Sequence, residues 1–102
     1  MTRSLIVAYA LRDLIRRLPP DLKKKIRQGL EEIVKNPRSG KLLCEELAGL
    51  RSYKIGQIRI IYRTTAARIE LVAIGPRKTI YEKVALEIKR AVRTLSGGRY
   101  TR

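Results

Sequence analysis

Apolar residues recur along this chain with two different periods, and the changes of period mark its elements. In YALRDLIRRL, Leu11, Leu14, Ile15 and Leu18 fall at helical spacing. They predict a helix over 9–18, preceded by a short strand, SLIVA, at 4–8. Pro19-Pro20 ends that helix. The second proline suits the first turn of the next helix, where Asp21 complements the helix dipole. Over 20–35, Leu22, Ile26, Leu30, Ile33 and Val34 form one apolar stripe, with Lys23, Lys24, Arg27, Glu31 and Lys35 off it. Gly29 costs this helix about 1 kcal/mol relative to alanine, so a close approach is expected there, that of the first helix. Asn36-Pro37 stops the helix. Residues 37–49 read as a long loop pinned to the core by Leu42, Leu43 and Leu47.

The period then drops to two. Strands are predicted at about 50–55, 58–64 and 68–74. Gly56-Gln57 joins the first two, and glycine at the first central position suits a type II′ hairpin. That turn sets Ile55 against Ile58, Lys54 against Arg59 and Tyr53 against Ile60. Alternation places Arg51, Tyr53, Ile55, Ile58, Ile60 and Tyr62 on one face, mostly apolar, which should receive the helix pair. Leu50, Ser52, Lys54, Arg59, Ile61 and Arg63 share the other, cationic face, expected to stay open. GPRK, 75–78, breaks the third strand. A last amphipathic helix is predicted over 79–95, with Thr79 and Glu82 as a capping box and a stripe of Ile80, Val84, Ile88, Ala91, Val92 and Leu95. The expected architecture is α+β: an N-terminal strand, an antiparallel helix pair on one face of a small, mostly antiparallel sheet, and a C-terminal helix. One domain spans 1–95, and 96–102 reads as a flexible tail.

Composition narrows the chemistry. The 102 residues suffice for one hydrophobic core. There is no histidine and a single cysteine, Cys44. Histidine-based triads, histidine zinc sites and an internal disulfide are therefore excluded, and Cys44 reads as a small half-buried apolar residue. No cofactor or metal is expected. No apolar run reaches about 18 residues, so no membrane span is expected, and a cytoplasmic location is. Lysine and arginine total 24 against 9 acidic residues, a net charge of +15, which favours a polyanionic partner.

The Lys54–Arg59 pair is the feature that ordinary sheet packing does not explain, because like charges directly opposed across strands are destabilising. Arg77 lies just past the third strand, and Tyr81 one helical turn further. Where the third strand pairs with the second, three cations and a phenol converge. An anion would relieve the repulsion, and phosphate suits the arginine fork; a tyrosine there could stack on a base. Arg38, Lys41, Arg63 and Lys78 read as peripheral phosphate contacts or plain surface. Glu45 and Glu46 read as solvated loop charges. Such a site can orient a ribose 2′-oxygen against its own phosphate without metal or histidine. Arg59 and Arg77 would then stabilise the phosphate, with Lys54 or Tyr81 as base.

LPPDLKKKIRQGLEEIVKNPRSGKLLCEELAGLRSYKIGQIRIIYR, followed by VAIGPRKTIYE, resembles the RelE/ParE superfamily of toxin–antitoxin toxins over about residues 5–85. By position, Lys54, Arg59, Arg77 and Tyr81 are similar to active-site residues of the RelE-like branch. The resemblance implies a β-α-α-β-β-β core with a C-terminal helix and a ribosome-dependent endoribonuclease acting on mRNA. It implies an acidic, partly disordered antitoxin as partner and a toxin–antitoxin hetero-oligomer. Gly56 stands where a second lysine of RelE-type proteins would lie, and histidine is absent. A ParE-like inhibitor of DNA gyrase and a noncatalytic antitoxin-binding relative are the alternatives.

Overall fold

The hairpin at Gly56-Gln57 organises the sheet. Gly56 has φ +57° while Gln57 keeps a negative φ, as a type II′ turn requires. In the computed structural model, which describes the backbone of residues 3–99 and the side chains of 3–90, the pairs are Ile55–Ile58, Lys54–Arg59 and Tyr53–Ile60, as the turn predicts. Among the described residues the element order is β1 (Ser4–Val7), α1 (Tyr9–Arg16), α2 (Pro20–Lys35), β2 (Lys41–Leu42), β3 (Arg51–Ile55), β4 (Ile58–Thr64), β5 (Arg68–Pro76) and α3 (Arg77–Arg99). The sheet runs β1-β5-β4-β3-β2, with β1 parallel to β5 and the other pairs antiparallel.

Each face of the sheet carries its own core. On the first, Ile26 and Ile33 of α2 meet Ile60, Tyr62, Ile69 and Leu71, with Leu11 and Ile15 of α1 and Leu18 of the link to α2 packed around them. Pro20 opens α2 with Asp21 in its first turn. Gly29 admits a close approach, but the neighbour is the sheet and not α1: a Cβ there would stand 2.7 Å from Ile55 Cδ1 and 3.2 Å from Tyr53 Cε2.

The second face is not open along its length. Leu50, Ile61, Ala73, Ile80 and Val84 form a second core under α3, bordered by Leu43, Leu47, Tyr81 and Ile88. A bulge in β5 contributes to it. Ile61 pairs with Ala73 and Tyr62 with Leu71, so Val72 is the extra residue and turns with Ala73 toward α3. The end of this face beside the hairpin turn stays uncovered, as do Arg63 at the far end of β4 and Ile6 on β1.

Other differences are local. β5 continues to Pro76 and α3 begins at Arg77, so Thr79 lies inside the helix and does not cap it. The Arg77 N–H donates to Gln57 O at 2.9 Å, and this bond starts the helix early. The 37–49 segment holds β2 and a helical turn at Glu45–Leu47. Leu43 and Leu47 reach the core, but Leu42 is exposed, because its two-residue strand sits at the sheet edge. Cys44 is exposed and not half-buried. α3 continues through Arg99, so residues 96–99 of the expected tail are helical, while 100–102 lie outside the described residues, as do the side chains of Ala91, Val92 and Leu95. Among those described, no helix is long and apolar enough to cross a membrane.

Candidate functional site

The uncovered end of the second face is a concavity of about 360 Å³ lined by Lys41, Leu43, Ser52, Lys54, Arg59, Arg77 and Tyr81. Strand alternation puts Ser52, Lys54 and Arg59 on this side. The antiparallel pairing of β4 with β5 brings Gly75 opposite Arg59 and Pro76 opposite Ile58. The first residue of α3, Arg77, is thereby delivered beside the hairpin, and Tyr81 follows one turn later. Four cations line the walls and no carboxylate does.

Arg59 is held rigidly. It is only 8% exposed, and its Nη1 donates to Gly56 O at 3.0 Å and to Ile58 O at 3.1 Å. Among the described residues, Nε and Nη2 make no hydrogen bond. Yet no buried polar side-chain atom lacks a partner among the described residues, so these donors keep access to solvent. The fork of the guanidinium is fixed at one nitrogen and free at the other. The turn that holds it also holds α3, through Gln57 O and the Arg77 N–H. Lys54 and Arg77 are exposed, and neither forms an ion pair among the described residues.

Tyr81 is half-buried against the second core. Its hydroxyl shares a hydrogen bond of 2.7 Å with Ser52 Oγ, and Ser52 is itself buried. Sequence reasoning placed Ser52 on this face without assigning it a part. The alternation with Lys54 was the available signal, but a partner 29 residues away leaves no local pattern.

Of the four cations expected at the periphery, the structure brings in one, Lys41. β2 pairs Lys41 with Ser52, which sets it on the concavity's rim. Arg63 lies toward the far end of β4, where its Nε donates to Glu70 Oε1 at 2.6 Å. Arg38 stands in the loop after α2, and Lys78 is exposed on α3; neither lines the concavity. Glu46 lines a neighbouring groove with Glu82 and Lys89, on the other flank of Tyr81. Among the described residues no cluster of three His, Cys, Asp or Glu side chains is placed to hold a metal.

An anion entering the concavity would meet the free side of one fixed arginine, three exposed cations and a tethered phenol. A phosphodiester has the charge and the oxygen geometry for that arrangement.

No match is found among the curated proteins. The fold is similar to that of the RelBE2 toxin–antitoxin complex from Mycobacterium tuberculosis, at 23% identity and a TM-score of 0.66, covering 76% of this chain and all of that one. It is also similar to a doubly substituted E. coli RelE toxin in the free state, at 14% identity and a TM-score of 0.68, covering 90% of this chain and 99% of that one. The same toxin in complex with a peptide of the antitoxin RelB matches at 13% identity and a TM-score of 0.63, covering 81% of this chain and 94% of that one. Residues 7–81 match the family model of the ParE toxin of type II toxin–antitoxin systems. With that match over most of the chain, on a sheet and helix arrangement shared with RelE structures, this protein belongs to the ParE toxin family, within the RelE/ParE superfamily of type II toxins.

Proposed function

We propose that this toxin binds a phosphate of mRNA in the cationic concavity and cleaves the strand there, on the translating ribosome. The reading rests on one observation: Lys41, Lys54, Arg59 and Arg77 line a single recess with no carboxylate among them. Their mutual repulsion is offset when a phosphodiester enters.

The reaction this site suits is an internal transfer. The ribose 2′-oxygen attacks its adjacent phosphorus and the 5′-oxygen of the next nucleotide leaves. The products are a 2′,3′-cyclic phosphate and a 5′-hydroxyl. The 2′ proton passes to a base, for which Lys54, acting as its neutral amine, is the exposed candidate, and the departing 5′-oxygen takes up a proton from water. Arg59 and Arg77 neutralise charge on the phosphoryl oxygens as it builds, usually the largest contribution to such catalysis. Tyr81, tied to Ser52, presents a fixed ring edge beside the phosphate. Orientation of the 2′-oxygen can contribute about 7–11 kcal/mol, and a ribosome that holds the mRNA in a bent path would supply it. The +15 surface fits an acidic antitoxin as the partner that silences the toxin.

The ParE family match favours a second reading, a toxin that inhibits DNA gyrase and leaves RNA intact. One pair of assays separates the two. In a reconstituted translation reaction, wild type should release mRNA fragments with cyclic phosphate ends. Lys54→Ala and Arg77→Ala should each slow that release about 10²-fold, as loss of a charge-stabilising donor does elsewhere. Supercoiling by gyrase should be unaffected. Cleavage by both variants at the wild-type rate removes the proposal, and inhibited supercoiling with uncut mRNA establishes the second reading.

A further inference from the structure

Lys54 lines two recesses. On the α3 side of the sheet it borders the cationic concavity. Over the edge of β3 it also lines a groove of about 270 Å³ with Lys25, Gln28 and Glu32 of α2 and Tyr53 and Ile55 of β3. The two recesses meet there because β2 pairs only with Arg51 and Ser52. From Tyr53 to Ile55 the outer edge of β3 is uncovered among the described residues. Gly29 brings the α2 backbone down onto Ile55 and Tyr53, and Lys25 stands one turn before it on the same face of the helix.

We propose that single-stranded RNA held in the concavity continues across Lys54 into this groove, which takes the next phosphate. The inference rests on the RNA reading of the concavity and extends it by a second subsite. Lys25 and Lys54 supply the charge. Gln28 supplies an uncharged hydrogen-bonding group, and the half-buried Tyr53 an apolar ring for a sugar or base. Glu32 is the one carboxylate on the wall. It lies two turns from Lys25 along α2, about 10 Å, so its repulsion directs the phosphate to the Lys25 end.

The test is binding of fluorescent 2′-O-methyl RNAs, two and eight nucleotides long, to the full chain over a range of salt. Methylation removes the nucleophile, so binding is read without cleavage. Lys25→Ala should weaken the longer RNA about 3- to 10-fold and reduce its log–log salt slope by about 0.7, the loss of one phosphate contact. It should leave the shorter RNA unchanged. Lys24→Ala, also on α2 but outside the groove, should change neither, and Arg77→Ala should weaken both. If Lys25→Ala leaves the longer RNA unchanged, or acts no differently from Lys24→Ala, while Arg77→Ala weakens both, the groove is not a subsite and the concavity reading stands. If Arg77→Ala affects neither length, the concavity reading fails and this inference with it.

Discussion

The Tyr62 hydroxyl ties the segment after α2 to the core. It donates to Pro37 O at 2.8 Å and accepts from the Gly40 N–H at 2.9 Å. The bond is possible because residue 40 has no side chain: a Cβ there would stand 2.6 Å from the hydroxyl and 2.8 Å from Cε1. The tyrosine ring is fully enclosed and has nowhere to retreat. Gly40→Ala should therefore cost about 2–4 kcal/mol, from overpacking and a lost pair of hydrogen bonds. Urea denaturation measures it, and a loss below about 0.5 kcal/mol, within the ordinary range for surface changes, would show that the segment yields freely. The placement of Tyr62 on the helix-facing side was legible from alternation. Its hydroxyl's partners were not, because they are main-chain atoms of a loop more than 20 residues away. Leu42 and Cys44 escaped for a related reason: in a segment without period, nothing local shows which apolar residue turns inward.

At the scale of elements, the β3–β4 hairpin carries the site. Its two-residue turn fixed the register in advance, and with it the opposition of Lys54 and Arg59. The tether of Arg59 to the turn carbonyls was beyond reach, since it depends on where a guanidinium folds back. The start of α3 departs from the sequence pattern for a physical reason. Thr79 and Glu82 have the spacing of a capping box, but a tertiary bond from the Arg77 N–H to Gln57 O begins the helix two residues sooner. The turn thus holds both arginines, one by its side chain and one by its main chain. Gly56→Ala should act on both. Its φ of +57° is unfavourable for alanine by about 1–2 kcal/mol, and any shift of the turn moves Gly56 O and Gln57 O together. The expected outcome is a modest loss of stability with a larger loss of RNA binding. Gly56→Asn, which tolerates positive φ better, should retain more of both. Equal binding by all three proteins would show that the turn does not position the arginines.

For the molecule as a whole, charge and fold act at different places. The two cores on opposite faces of one sheet leave the end of the second face beside the hairpin turn uncovered, and the cationic concavity occupies it. The helix pair and its core were legible from periodicity alone. The second core is obscured in the sequence because its strand residues, Leu50, Ile61 and Ala73, are interspersed with cations or displaced by a bulge, so the face reads as cationic and open. The +15 charge draws polyanions to the whole surface, and this nonspecific attraction weakens steeply with salt. A built phosphate site has to stand out above it. The most direct measurement is amide and side-chain NMR of the full chain, titrated with an uncleavable 2′-O-methyl RNA at physiological salt. The account predicts shifts centred on Ser52, Lys54, Arg59, Arg77 and Tyr81, lost in Arg77→Ala, while β1 and α1 stay unchanged. Shifts spread evenly over the surface lysines and arginines, or centred away from the hairpin turn, would contradict it.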